Sequence, residues 1–322
     1  MSLPDTLKQQ LTLPVLCSPL FIISTPKLVI EQCKAGVIGS FPALNARPAE
    51  KLDEWLTEIE ETLAAYQAAN PELKVAPYAV NQIAHPTNDR LEHDMQACVK
   101  HQVPIIITSL QANPMIIEAA HSYGGLVFHD VTNLRHARKA ISMGVDGLIL
   151  VTAGAGGHAG TLNPFALLSE IREIYDGPVI LGGAISKGNH ILSAEVMGAD
   201  LAYMGTRFIP TEEANAEQAY KDMIIQSSAS EIVYTNLFTG VHGNYLRGSI
   251  ESAGLDPDDL PSSDKSKMSF GSGGSSKRKA WRDIWGAGQG VGGITEQKSV
   301  SDTVAQLRDE YETAKHKVKA SG

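Results

Sequence analysis

The chain has 322 residues, of which 43% are hydrophobic and 20% charged, and its formal net charge is −9 at pH 7. This composition is typical of a globular protein with a large core, and the length suits two ordinary domains or one α/β barrel of about 250 residues. The negative charge argues against nucleic acid or an anionic membrane surface as the main partner.

The cysteines and the apolar run near the N-terminus indicate a cytoplasmic protein. Cys17, Cys33 and Cys98 are odd in number and lack metal-ligand spacing, which indicates reduced thiols rather than a disulfide framework. The apolar run Leu11–Ile23 is too short to span a bilayer, is interrupted by prolines and has no basic segment before it. We therefore expect neither a membrane anchor nor a secretion signal.

Apolar strand-like runs alternate with helical patterns from Pro14 to Phe208. The predicted strands are Pro14–Leu20, Val37–Phe41, Pro77–Gln82, Pro104–Ser109, Leu126–Val131, Gly147–Val151, Pro178–Leu181 and Leu201–Phe208. The predicted helices between them include a long amphipathic one marked by Leu52, Trp55, Leu56, Ile59 and Leu63. Eight strand–helix alternations with short connections predict an α/β fold, a (β/α)8 TIM barrel; a doubly wound open sheet is the alternative.

The pattern changes after Phe208. A helix is predicted over Glu212–Ser228, a mixed segment over Ile232–Gly243, a surface excursion rich in Ser, Gly, Pro and Asp over Ser249–Ser276, a glycine-rich segment over Trp281–Gly293 and a final helix over Val300–Ala320. We therefore assign residues 1–245 to the barrel. Residues 246–322 are expected to form the excursion, a segment that caps the barrel mouth and a C-terminal helix packed on the barrel.

The most distinctive stretch is Ala153–Gly160, which follows the sixth predicted strand. Four glycines in eight residues allow positive φ angles and close approach of another molecule. His158, in the middle, is the one side chain there that can transfer a proton near neutral pH. The stretch is therefore either the wall of an active site or a flexible turn with an incidental histidine.

Two further glycine motifs stand at the ends of the seventh and eighth strands. Leu181–Ile185 contains Gly182 and Gly183, and Tyr203–Arg207 contains Gly205 and Thr206. Loops at these two positions of a barrel commonly bind a phosphate through backbone N–H groups, and a threonine hydroxyl can add a hydrogen bond. The alternative is a pair of tight turns without a ligand. A phosphate site beside one histidine, with no catalytic nucleophile, suggests that a bound cofactor supplies the chemistry.

The motifs Ala155–Gly160, Leu181–Ala184 and Tyr203–Phe208 together resemble those of the nitronate monooxygenase family, with a further match at Trp285–Gln289. The likeness runs from Pro14 to about Phe208 and is specific to a superfamily that also holds flavin-dependent enoyl reductases and an NADH:quinone reductase branch. The resemblance implies a barrel that holds FMN non-covalently.

The resemblance also assigns residues to roles. It implies that His158 is the catalytic base. The histidines show no metal-ligand spacing, so we expect no metal. Residues implied to bind FMN are Pro19, Leu20 and Phe21 at the ring, Asn81 as a hydrogen-bond partner, Gly182, Gly183, Gly205 and Thr206 at the phosphate, and Asp130, Gly156, Gly157, Met204 and Gln289 around the cofactor.

The chain departs from the family pattern at two of these positions. Leu20 stands where many relatives carry a methionine, and Asp130 stands at the end of the fifth strand where many carry a lysine. An aspartate there would oppose negative charge on a reduced flavin unless it is turned away or paired. His129 and Asp130 face opposite sides of their strand, so at most one faces the barrel mouth.

The resemblance favours an enzyme that oxidises alkyl nitronates or nitroalkanes with O2 to a carbonyl compound and nitrite. The alternative enzyme is an NAD(P)H-dependent flavin reductase acting on a quinone or an enoyl thioester. A flavin-free barrel that binds a phosphorylated metabolite is the alternative from another class. The expected partners are a small-molecule nitronate or nitroalkane and O2, and a homodimer is one possible assembly.

Overall fold

The computed structural model describes residues 3–263 and 284–320. Eight parallel strands form a barrel, as predicted. They are β1 (Val15–Cys17), β2 (Gly39–Pro42), β3 (Tyr78–Ile83), β4 (Ile105–Ser109), β5 (Leu126–Val131), β6 (Gly147–Val151), β8 (Val179–Gly182) and β9 (Leu201–Met204). Each strand pairs with its neighbours in chain order, β9 pairs with β1, and a parallel bridge between Leu16 and Ile38 joins β1 to β2.

Helices cover the outside of the barrel between successive strands. They are α2 (Pro26–Lys34), α3 (Lys51–Ala69), α4 (Leu91–Lys100), α5 (Pro114–His121), α6 (Leu134–Ser142), α7 (Pro164–Arg172) and α8 (Gly188–Val196). Helix α1 (Asp5–Gln9) precedes β1, and α9 (Gln218–Gln226), α10 (Arg247–Ser252) and α11 (Val300–Ala320) follow β9. Asn113, Asn133 and Asn163 cap the N-termini of α5, α6 and α7 with their side chains, which explains why these helices begin directly after short loops. Among the residues that the structure describes, no helix is both long and apolar enough to cross a membrane.

Period-two alternation along the strands fills the barrel and builds the floor of the site. Ile107, Phe128 and Ile149 point inward and are fully buried in one apolar cluster. Two residues further along their strands, Ser109, Asp130 and Val151 face the same side at the carboxyl end of the barrel. Residues at this end of a parallel barrel form the site in enzymes of this fold.

A small antiparallel sheet lies beside the barrel, in a region where the sequence indicated only mixed structure. The short strand β7 (Gly157–His158) pairs with β11 (Gly243–Leu246), which pairs in turn with β10 (Ile232–Thr235). Part of the loop after β6 is therefore a strand held in register and not a flexible turn.

The predicted C-terminal helix is α11, and it packs on the barrel. The Glu310 carboxylate accepts a hydrogen bond from the backbone of Gly188 at 2.7 Å, and the Tyr311 hydroxyl donates to Glu195 at 2.5 Å. The predicted boundary between barrel and extension, after residue 245, lies within β11. The division into these two parts remains a prediction. The predicted excursion over Ser249–Ser276 lies outside the described residues from position 264 onward.

The largest differences from the predicted elements are at β1, β9 and α9, which are all clearly shorter than predicted. β1 ends at Cys17 rather than Leu20, and β9 ends at Met204, after which Thr206–Phe208 form a 3-10 turn. The chain leaves the barrel wall at these points to build the loops of the cavity. Helix α9 covers only Gln218–Gln226 of the predicted Glu212–Ser228.

Candidate active site

A cavity of about 990 Å³ opens at the carboxyl end of the barrel. Its volume lies at the upper end of the range for small-molecule and cofactor sites. Of the residues expected at the site, the following line it: Pro19, Leu20, Phe21, Asn81, Asp130, Gly156, Gly157, His158, Gly182, Gly183, Gly205 and Thr206. The structure therefore brings the strand ends, the histidine loop and the two glycine motifs around one space.

Two predicted site residues lie elsewhere. Met204 is fully buried in the apolar layer between barrel and helices. Side chains alternate along a strand, and its neighbour Tyr203 is the one that faces the cavity. Gln289 is exposed and does not line the cavity; its backbone N–H donates to Gly154 O at 2.9 Å. Its neighbours Gly288 and Gly290 line the cavity instead.

The floor of the cavity carries a short chain of hydrogen bonds. The Asn81 amide donates to Ser109 Oγ at 2.8 Å, and the Ser109 hydroxyl donates to Asp130 Oδ2 at 2.6 Å. Asn81 also donates to the backbone of Ile107 at 3.2 Å. Three neighbouring strands therefore fix the orientation of these three polar side chains before any ligand binds.

Asp130 is the unusual member of this floor. Its second oxygen, Oδ1, is buried and has no hydrogen-bond partner in the described part of the chain. Burial raises the pKa of the Asp130 carboxyl to about 6, and the hydrogen bond from Ser109 offsets only part of that rise. His129 faces the opposite side, where it contacts Thr108 at 2.7 Å, so only Asp130 reaches the cavity.

His158 stands in the cavity wall and is held from behind by Thr239. The His158 Nε2 atom lies 2.9 Å from Thr239 Oγ1, and the Thr239 hydroxyl donates to Val241 O at 2.9 Å. Since a hydroxyl has one proton and Thr239 gives it to Val241 O, we assign Nε2 as the donor to Thr239. Burial lowers the pKa of His158 to about 4, so the imidazole is neutral near pH 7.

The two glycine loops meet on one side of the cavity, at the ends of the adjacent strands β8 and β9. Gly183 has φ of +144°, and a Cβ there would lie 2.1 Å from Thr152 Oγ1, so only glycine fits. The Thr206 hydroxyl accepts a hydrogen bond from Gly288 N–H at 2.9 Å, which leaves its own proton for a bound group. These loops can hold one phosphate through backbone N–H groups and this hydroxyl.

The glycine-rich segment after residue 284 covers part of the cavity mouth. Trp285 lines the cavity and stacks on Tyr220 with ring centroids 4.9 Å apart, and the Tyr220 hydroxyl donates to Gly286 O. Gly156 allows this segment to approach the histidine loop closely, since a Cβ at Gly156 would lie 2.8 Å from Gly288 N. The predicted segment Trp281–Gly293 therefore reaches the barrel mouth over its described part.

Two arginines, Arg47 and Arg135, line the cavity together with two acidic residues, Asp130 and Glu217. His136 and His158 also line it, and burial lowers the pKa of both. Arg47 lies over the Phe21 ring, 5.6 Å from its centroid. The two arginines are the groups of the lining that can attract a ligand or substrate with negative charge.

Several residues of this site were not expected from the sequence. Thr239 holds His158, the Asn244 amide donates to Ala155 O at 2.6 Å, and Ser109 links Asn81 to Asp130. The alternation around Ile232–Thr235 and Gly243–Leu246 indicates two strands, but it does not show that they pair with the histidine loop. Ser109 is the last residue of a predicted strand, and this position alone could have predicted that it lies on the cavity floor.

Comparisons with known proteins show the family of this chain and, separately, its fold. A family model described as nitronate monooxygenase matches residues 7–310. The nitronate monooxygenase of Paraburkholderia phytofirmans is 24% identical over 286 residues, which cover 76% of this chain and 76% of that protein. FabK from Thermotoga maritima has a TM-score of 0.77 at 21% identity, over 99% of this chain and 100% of that one. A nitroalkane oxidase from Streptomyces ansochromogenes gives the same TM-score and identity, over 98% and 100%. The two structural likenesses establish the fold alone.

Proposed function

The chain belongs to the nitronate monooxygenase family of flavin-dependent oxidoreductases, and we propose that it oxidises alkyl nitronates and nitroalkanes with FMN and O2 to a carbonyl compound and nitrite. The observation that carries this proposal is the neutral imidazole of His158, which Thr239 holds in the wall of a cavity that also contains a glycine cradle. A base, a place for a cofactor and a space for substrate are therefore combined in one site.

The cavity residues fit FMN. Gly183 cannot carry a side chain without meeting Thr152, and with Gly205 and Thr206 it would hold the phosphate. Pro19, Leu20 and Phe21 give an apolar surface for a ring, and Asn81 gives a polar contact on the floor. A cradle built from two adjacent loops matches the single phosphate of FMN.

When bound, FMN would supply the electron acceptor and the reactivity with O2, neither of which protein side chains provide. His158, which Thr239 holds at Nε2, would remove the α-proton of a neutral nitroalkane. With a preformed nitronate, no proton has to be removed, so this role of His158 falls away. The arginines at the rim would attract the anion.

Small molecules and O2 are the partners that this proposal requires. We also propose a cytoplasmic location, supported by the free and buried thiols of Cys17, Cys33 and Cys98, which are typical of a reducing compartment.

The cofactor assignment is tested on the purified full-length protein. We expect a yellow protein that releases FMN on heating, in a ratio of about one FMN per chain, and that forms nitrite from an alkyl nitronate only when O2 is present. Release of a different flavin would overturn the choice of FMN. A colourless protein without flavin would overturn the proposed function as a whole.

A further inference from the structure

The Asp130 carboxyl faces the cavity with fewer partners than a charged carboxylate needs. One hydrogen bond reaches it, from Ser109 to Oδ2, and Oδ1 is buried and unpartnered within the described residues. No lysine, arginine or histidine forms an ion pair with it in that part of the chain. A buried carboxylate that lacks a counter-ion is unstable relative to its neutral form.

The other titratable and charged groups around the cavity do not compensate its charge. Tyr203, on the neighbouring wall, stays neutral because burial and the Asp130 charge raise its pKa well above the usual value. His158 is neutral near pH 7, and burial also lowers the pKa of His136. The remaining charged or titratable lining residues are Arg47, Arg135, Glu217, Tyr220, Tyr234 and His242, and within the described residues none of them is paired with Asp130.

A ligand in the cavity makes the charged form less favourable still. A flavin ring over the floor would displace water from around Asp130 and so remove the solvation that remains. The phosphate of FMN adds negative charge to the same cavity, and a nitronate substrate adds more. Each of these changes favours a proton on the carboxyl.

We propose that Asp130 takes up one proton from solvent when FMN binds, so that the loaded enzyme has a neutral carboxylic acid on the cavity floor. The inference rests on the proposed function in one respect, namely that the ligand is FMN. It explains how an aspartate can stand on the floor of a flavin site without opposing the negative charge that the flavin gains on reduction. Asp130 is here a binding and positioning residue, not the base.

The variant Asp130→Asn can keep the hydrogen-bond chain of Asn81, Ser109 and residue 130 while it removes the charge. In Asp130→Asn the amide oxygen can accept the Ser109 hydroxyl as Oδ2 does, and the side chain is neutral at every pH. The variant therefore mimics the protonated state that we assign to the loaded enzyme. FMN should bind it without proton uptake and no more weakly than it binds the wild-type chain.

Isothermal titration calorimetry of the flavin-free full-length protein with FMN tests the inference. Titrations at about pH 7.5 in two buffers of different ionisation enthalpy give the number of protons bound, and we expect uptake of about one proton per FMN for the wild type. Asp130→Asn should take up about one proton less. Glu217→Gln, which removes the exposed carboxyl at the rim, is the matched control and should keep the wild-type uptake.

The wild-type protein provides a second readout that needs no variant. Because proton uptake is linked to binding, the Kd of the wild type for FMN should rise about tenfold between pH 7 and pH 8. The FMN phosphate is already doubly ionised in this range, so its own titration does not account for such a rise. Equal proton uptake by the wild type and Asp130→Asn would overturn the inference. The inference would also fail if the wild type took up no proton and Asp130→Asn bound FMN more weakly, since the carboxylate would then bind FMN in its charged form. Failure of the wild type to bind FMN at all would overturn the proposed cofactor and, with it, this inference.

Discussion

The Nε2 atom of His158 lies 2.9 Å from the hydroxyl of Thr239, although 81 residues separate the two in sequence. The contact joins the loop after β6 to the β10–β11 hairpin, and the pairing of Gly157–His158 with Gly243–Asn244 reinforces it. The proposed base is therefore positioned by a small sheet outside the barrel. This arrangement leads to the first two predictions.

His158→Asn should separate proton removal from the rest of the reaction. We expect kcat/KM to fall about 10²–10⁴-fold with a neutral nitroalkane, the usual contribution of a general base, and much less with the preformed nitronate. Steady-state kinetics with the two forms of one substrate measures the difference. An equal loss with both would contradict the assignment of His158 as the base.

Thr239→Val should weaken the positioning of His158 without removing it. The variant leaves the Nε2 proton without its acceptor, and we expect about a tenfold fall in kcat/KM with the nitroalkane. Thr239→Ser should restore activity because it keeps the hydroxyl. Thr235→Val, in the same hairpin but bonded to Leu237 N–H, is the control and should keep wild-type activity. If both valine variants lose activity alike, the hairpin has only a general structural role.

Asp130→Asn should change the stability of the flavin-free protein in a pH-dependent way. Folding raises the pKa of this carboxyl to about 6, so the folded state binds its proton more tightly than the unfolded state does. The wild type therefore loses stability as the pH rises through the range from about 4 to 6, where the carboxyl ionises. Removing the charge should stabilise the protein by about 2 kcal/mol more at pH 8 than at pH 4.5. Urea unfolding of both proteins at the two pH values measures this difference in the free energy of unfolding. The same change at both pH values would show that burial does not destabilise the charged form of Asp130.

Gly183→Ala should damage the proposed phosphate loop. The new Cβ would lie 2.1 Å from Thr152 Oγ1, so the loop has to move, and we expect FMN affinity to fall at least tenfold. Gly124→Ala is the matched control because Gly124 also has a positive φ, of +85°, but has no atom within 4 Å of the Cβ position. It should lower the free energy of unfolding by about 1 kcal/mol and leave FMN binding unchanged. Equal FMN affinity in the two variants would contradict a phosphate at Gly183.

The barrel and most of its cavity could be predicted because they depend on local patterns. Apolar runs mark the strands, and the carboxyl ends of parallel strands meet at one face, so residues as distant as Asn81 and Gly205 could be assigned to one site. Met204 belongs to the predicted motif but does not line the cavity, because side chains alternate along the strand: Tyr203 faces the cavity and Met204 packs in the apolar layer.

The remaining features depend on contacts that no local pattern contains. Thr239 and Asn244 reach the histidine loop only because a hairpin packs against it, and their sequence neighbourhood gives no sign of that partner. Gln289 lies in a motif that was expected at the site, but its exposed side chain does not line the cavity, whereas Gly288 and Gly290 do. The unpartnered oxygen of Asp130 is likewise a property of three-dimensional packing.

Anaerobic mixing of the purified protein with an alkyl nitronate, NADH or NADPH tests the proposed reaction most directly. The nitronate should bleach the visible flavin absorbance, O2 should restore it with formation of nitrite, and neither nicotinamide should bleach it at a comparable rate. Rapid bleaching by NADH or NADPH, with none by the nitronate, would contradict the account and identify the protein as an NAD(P)H-dependent reductase.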